Sequence, residues 1–125
     1  MHLITWISQI YKIHAFSFSF DNEILVHAGL QFKNQDNPLE DEHSKLWIRG
    51  WYHDIDHNWL GERKIIHGHT PLSLSEINQM LDQVFLEKVM DIDAGCCYKN
   101  VKDLGHLCVL ELEQMNIFFQ KNIED

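Results

Sequence analysis

Nine histidines in 125 residues offer imidazole at many points of this chain, and their neighbours sort them. His27 and His69 each stand where a β-prone run stops and a glycine-bearing turn begins, in Val26-His27-Ala28-Gly29 and in His67-Gly68-His69-Thr70-Pro71. Imidazoles at two strand ends meet in space if the strands are neighbours in one sheet. Two neutral rings converging on one point make a divalent-metal site the hypothesis to test. The competing reading is a pair of isolated turn histidines. His67 lies two residues before His69, so on a continuing strand both rings face the same way. It is either a further ligand or a supporting hydrogen-bond partner. His2, His14, His43, His53, His57 and His106 sit in polar or amphipathic surroundings without a partner pattern, and surface or capping roles are expected of them.

Other reactive side chains read more plainly. Cys96, Cys97 and Cys108 are few and odd in number, the first two adjacent, which is poor geometry for an ordinary disulfide. No CxxC spacing points to zinc. Reduced thiols are expected, Cys96 and Cys97 buried, in a cytoplasmic protein. Trp47, Trp51 and Trp59 are expected to pack, and Asp54 and Asp56 to face solvent.

The elements that must position these groups follow from periodicity. Leu3, Trp6, Ile7, Ile10 and Ile13 recur at helical spacing over residues 3–13. Phe16, Phe18 and Phe20 then alternate with small polar residues, Asp21-Asn22 turns, and Glu23 to His27 is β-rich, which predicts a hairpin. Asn37-Pro38 with Glu40 predicts a helix start, and that helix is expected to run to Arg49 before Gly50. A second short helix is expected over Trp51–Leu60, and Lys64–His67 reads as a buried strand. Ser73 and Glu76 form a capping box opening a helix with Leu74, Ile77, Leu81 and Val84 on one face. Strands are expected over Lys88–Asp93, Gly105–Glu113 and Asn116–Phe119, the last two as an antiparallel pair about Gln114-Met115. The class is α/β or α+β, in a single domain over residues 1–125.

Composition narrows the partners. Hydrophobic residues are 45% and charged residues 23%, which excludes a disordered tail, a collagen-like fibre and a coiled coil. No apolar run approaches the ~20 residues of a membrane helix. The net charge is −9, so a nucleic-acid polymer or an anionic lipid surface is an unfavourable partner.

Taken in order, Val26-His27-Ala28-Gly29-Leu30, Leu46-Trp47-Ile48-Arg49, Ile65-Ile66-His67-Gly68-His69-Thr70-Pro71 and Ile92-Asp93-Ala94-Gly95 resemble the C-terminal half of the calcineurin-like metallophosphoesterases. The branch most similar is the bacterial serine/threonine protein phosphatases and their diadenosine-tetraphosphatase-like kin. The resemblance spans about residues 20–113 and implies a β-sandwich flanked by helices, of which this chain would form the second half. It makes His27 and His69 ligands of one metal in a dinuclear centre and Arg49 the phosphate contact, a role suited to a planar bidentate donor. His67 takes a supporting role, and Tyr98 is placed near the phosphate. The metal implied is manganese, with iron, zinc or nickel as alternatives. The implied substrates are a phosphorylated protein or a nucleotide polyphosphate, attacked by a metal-bound hydroxide.

The family's D-x-H, GDxxDRG and GNHE or GNHD motifs have no counterpart here, and His2, His14 and Asp21 do not reproduce them. The chain is therefore expected to be a truncated C-terminal portion that carries no catalytic residue of its own and is inactive alone. A second expectation is a non-catalytic module of the same half-fold that self-associates through an exposed sheet. A third, a histidine-rich metal buffer, predicts that replacing Arg49 changes nothing.

Overall fold

The computed structural model describes residues 16–20 and 22–124. The helix expected over 3–13, together with His2, His14 and Asp21, lies outside the described residues. A four-stranded mixed sheet holds β1 (Ser17–Ser19), β2 (Glu23–Val26), β3 (Lys64–His67) and β4 (Val89–Asp91), in that spatial order. β1 and β2 form the expected hairpin, with Phe20 N–H donating to the Glu23 carbonyl across the turn. β2, β3 and β4 are parallel, with Leu25 opposite Ile66 and His67 opposite Asp91.

Parallel strands covered on both faces read as continuous apolar runs, and every residue of β3 is buried. Alternation divides the sheet's side chains between two cores. Ile24, Val26, Ile65 and Val89 pack with Leu30, Phe32, Trp51 and Leu60 on one face. Leu25, Ile66 and Met90 pack with Ile77, Val84, Leu110 and Met115 on the other. The single charge in β3, Lys64, lays its stem in the core and brings its ammonium 5.0 Å from the centre of the Phe85 ring.

Among the described residues, three α-helices connect the strands. The segment from Asn37 does not run as one helix to Arg49. Asn37 caps a 3₁₀ turn at Pro38–Glu40, and Asp41 then restarts the chain as α1 (Glu42–Trp47). The cause is Asp41, whose carboxylate takes both the N–H and the hydroxyl of Ser44 and so holds its own backbone out of the helix. The expected helix over 51–60 splits in the same way. A 3₁₀ turn at Tyr52–Asp54 ends, Asp56 caps a new start, and α2 (His57–Leu60) stops at Gly61.

The capping box is present as expected: Ser73 and Glu76 bond reciprocally and open α3 (Leu74–Glu87), which buries Ile77 and Val84. Lys88 ends that helix in the left-handed region (φ 61°), so β4 begins at Val89. The chain closes in a two-stranded antiparallel sheet, β5 (His106–Glu111) and β6 (Asn116–Lys121), joined to the main body by a bridge between Gly95 and His106. The class is thus mixed α/β. No helix among the described residues is long and apolar enough to cross a membrane.

Candidate functional site

Parallel pairing forces β2, β3 and β4 to end at the same edge of the sheet, and ligands of open α/β sheets gather at such carboxyl edges. His27 follows β2 directly, His67 ends β3 with Gly68 and His69 beyond it, and Asp91 ends β4. The Gly68 N–H donates to the His27 carbonyl at 2.8 Å, carrying the β2–β3 pairing one step past the strands. That bond sets the two turns side by side. The His27 and His69 rings lie 5.0 Å apart between centroids, edge to face.

Arg49, in the loop after α1, joins them, its Nε donating to His69 Nε2 at 3.5 Å. The structure therefore brings together the three residues singled out for metal and phosphate, from positions far apart in the chain. Partial burial lowers the pKa of His27, the neighbouring His69 lowers it further, and Asp93 opposes both. The shift favours the neutral ring, the form that donates a lone pair. Among the described residues, no group of three or more His, Cys, Asp or Glu is arranged to hold a metal ion.

His67 does not face the rim with His69. It is buried, with Nδ1 2.9 Å from the Gly68 carbonyl and Nε2 2.6 Å from the Tyr52 hydroxyl. A carbonyl only accepts, so Nδ1 carries the proton and Nε2 accepts from Tyr52. Both ring nitrogens of His67 are thus engaged within the fold. Burial pushes its pKa down to about 4, against the pull of the Gly68 carbonyl. The opposite facing follows from the backbone: the strand ends at His67, and His69 takes a left-handed φ of 74°.

A cleft of about 400 Å³ opens beside this edge, walled by Arg49, Tyr52, Thr70 and Leu72 with His67 and Asp91. Asp91 is 1% exposed, and its Oδ1 accepts the Asp93 N–H. Burial, with the charge of Asp93 adding to it, raises the Asp91 pKa to about 7, although the bond from Asp93 resists. Burial likewise raises that of Tyr52.

Sequence reasoning missed Trp51, Tyr52 and Asp91 as parts of this region, and noted Asp93 only within the Ile92-Asp93-Ala94-Gly95 motif. Asp91 had a readable signal, a carboxyl inside the apolar run Val89-Met90-Asp91-Ile92. Tyr52 had none, because its partner lies across the fold. Trp47 is a correction: it is 62% exposed and sets its ring edge-on to His69 at 5.9 Å, because α1 ends there and turns it outward. Trp51 and Trp59 do pack, both in the first core.

Asp54 is also half-buried rather than solvent-facing, paired with Lys33 at 3.5 Å, while exposed Asp56 caps α2. The cysteines are free, but Cys96 is only half-buried and Cys97 exposed, since the turn after Gly95 carries them outward. Tyr98 is exposed in that same turn and does not line the cleft. His43, His53 and His57 are exposed. Compared with protein-family models, with curated proteins and with solved structures, the chain matches none.

Proposed function

We propose that this chain is the part of a calcineurin-like metal-dependent phosphoesterase that supplies two imidazoles and a phosphate-binding arginine, and that residues outside it complete the centre. The observation that carries the reading is the convergence of His27, His69 and Arg49 at one sheet edge. The ordered motifs around those residues add to it, and the mixed sheet with a separate two-stranded sheet is compatible with half of a β-sandwich. The donor set fits a metal in part: two imidazoles converge, and the surroundings of one favour its neutral form. Two ligands bind weakly, since a working site takes three or more with fixed support.

When bound, a pair of divalent ions, manganese by preference, would polarise the phosphate and lower the pKa of water. This chain's own contribution is to orient. Arg49 is exposed with its guanidinium beside His69, so a phosphate oxygen arriving there meets a fork of N–H donors. The substrates of the complete enzyme would be a phosphorylated protein or a nucleotide polyphosphate, in the cytoplasm.

Calorimetry of Mn²⁺ binding, with and without inorganic phosphate, tests the reading. Wild type should bind Mn²⁺ weakly, His69→Ala should not bind it, and Arg49→Ala should bind Mn²⁺ yet lose the added affinity for phosphate. Equal binding by wild type and His69→Ala contradicts the proposal.

A second reading has its own support. Leu107 and Phe118 are 45% and 59% exposed on the β5–β6 sheet, which suits a non-catalytic module that self-associates there. Sedimentation of wild type against Phe118→Ser separates the two: association that disappears in the variant favours the module.

A further inference from the structure

The loop from Arg49 to Tyr52 touches both histidine-bearing turns. On the His27 side, the Trp51 indole N–H donates to the Ala28 carbonyl at 3.2 Å. The same ring lies so close to Gly29 that a Cβ there would fall 2.2 Å from it. On the His69 side, the Tyr52 hydroxyl donates to His67 Nε2 at 2.6 Å, and His67 Nδ1–H donates to the Gly68 carbonyl at 2.9 Å.

Gly68 stands between two peptide planes. Its N–H belongs to the plane shared with His67 and is bonded to the His27 carbonyl. Its carbonyl belongs to the plane shared with His69 and is bonded to the His67 ring. With both planes pinned, the backbone of Gly68 is fixed and with it the direction in which the chain enters His69, which then takes a φ of 74°, unusual for a residue with a Cβ. The ring that pins the second plane is itself held, on its far side, by Tyr52.

We infer that Tyr52 is a positioning residue for His69, acting through His67 and Gly68, so that the loop presenting Arg49 also sets the His27–His69 pair. Only the metal-binding consequence rests on the function proposed above; the orientation of the turn does not. Partners bonded directly to ligating histidines commonly tune affinity by 10–100-fold, and Tyr52 stands further out, behind His67 and Gly68, so only the low end of that range applies. Removing the Tyr52 hydroxyl should therefore weaken Mn²⁺ binding by about tenfold.

The test uses the whole chain and three proteins: wild type, Tyr52→Phe, and Tyr98→Phe as an exposed control. Long-range ¹H–¹⁵N spectra read the ring nitrogens of His67, amide spectra read Gly68 and His69, and calorimetry reads Mn²⁺ affinity. Wild type should show a protonated Nδ1 and a hydrogen-bonded, unprotonated Nε2. Tyr52→Phe should move the Nε2 signal and the Gly68 and His69 amides and lose about tenfold in Mn²⁺ affinity, with Tyr98→Phe like wild type.

The opposite tautomer in wild type overturns the inference, whatever the variant does. So does a Tyr52→Phe protein whose Gly68 and His69 signals match those of the control. If the signals move but wild type binds no Mn²⁺, the positioning stands and the phosphoesterase reading falls.

Discussion

His67 and His69 are two residues apart and live in different chemistry. His67 is buried, has both ring nitrogens engaged, and is pushed down to a pKa of about 4. His69 is half-exposed, has the His27 and Trp47 rings edge-on to it, and its Nε2 accepts from Arg49 Nε at 3.5 Å. One histidine is structure and the other is available to a ligand, and the difference is made by a single turn of backbone. Residue type alone does not assign chemistry; what the ring nitrogens already touch does.

The contrast can be broken most forcefully at the buried side. Trp51 is 3% exposed and packs between the Phe32 ring and the histidine turns. Trp51→Ala should cost about 3–5 kcal/mol in denaturant unfolding. A loss below about 1 kcal/mol would mean the loop is not held as described. Gly29→Ala attacks the same contact from the other side, driving a methyl into the indole, and overpacking of that kind costs about 1–3 kcal/mol. Gly68→Ala is its counterpart: the added carbon would meet Asp93 Cβ at 3.4 Å, an ordinary contact, so a change within about 0.5 kcal/mol is expected.

Next in size is pH. Folding raises the Asp91 pKa from 3.8 to about 7, so the native state holds a proton that the unfolded chain has lost, and stability falls as pH rises through that window. Folding lowers the His67 pKa from 6.5 to about 4, so the unfolded chain holds the extra proton and stability rises with pH between those values. Each slope is at most about 1.4 kcal/mol per pH unit, and the two oppose one another over most of the range. Measured from pH 4 to 6.5, Asp91→Asn should gain stability with pH relative to wild type, and His67→Gln should lose it. The same slope in both variants would contradict the buried assignment.

Smallest is the exposed side. His69→Gly removes a side chain held at φ 74°, where glycine is at ease, so stability should be unchanged or higher by roughly 0.5 kcal/mol. A loss near that of a buried change would place His69 with His67 and dissolve the comparison.

The sequence was informative wherever the cause was local. The capping box at Ser73 and Glu76, the alternation that pairs β1 with β2 and the apolar run Lys64–His67 each carry their own signal, and each forms. The meeting of His27 and His69 followed from two strand ends and one assumption of pairing, which the parallel register supplies. What escaped was set by contacts distant in the chain or by side chains competing with backbone. Asp41 and Asp56 cap new helices inside stretches whose periodicity reads as continuous. Tyr52 meets His67 fifteen residues on, and Trp51 meets Ala28 twenty-three residues back, and no local pattern announces either.

The most direct measurement of the central claim is Mn²⁺-induced broadening of the histidine ring signals, titrated at pH 7 on the whole chain. His27 and His69 should broaden together at the lowest Mn²⁺, with exposed His43, His53 and His57 responding only at much higher concentration. Broadening of those exposed rings at the same Mn²⁺ as His27 and His69, or of His69 without His27, would contradict the claim.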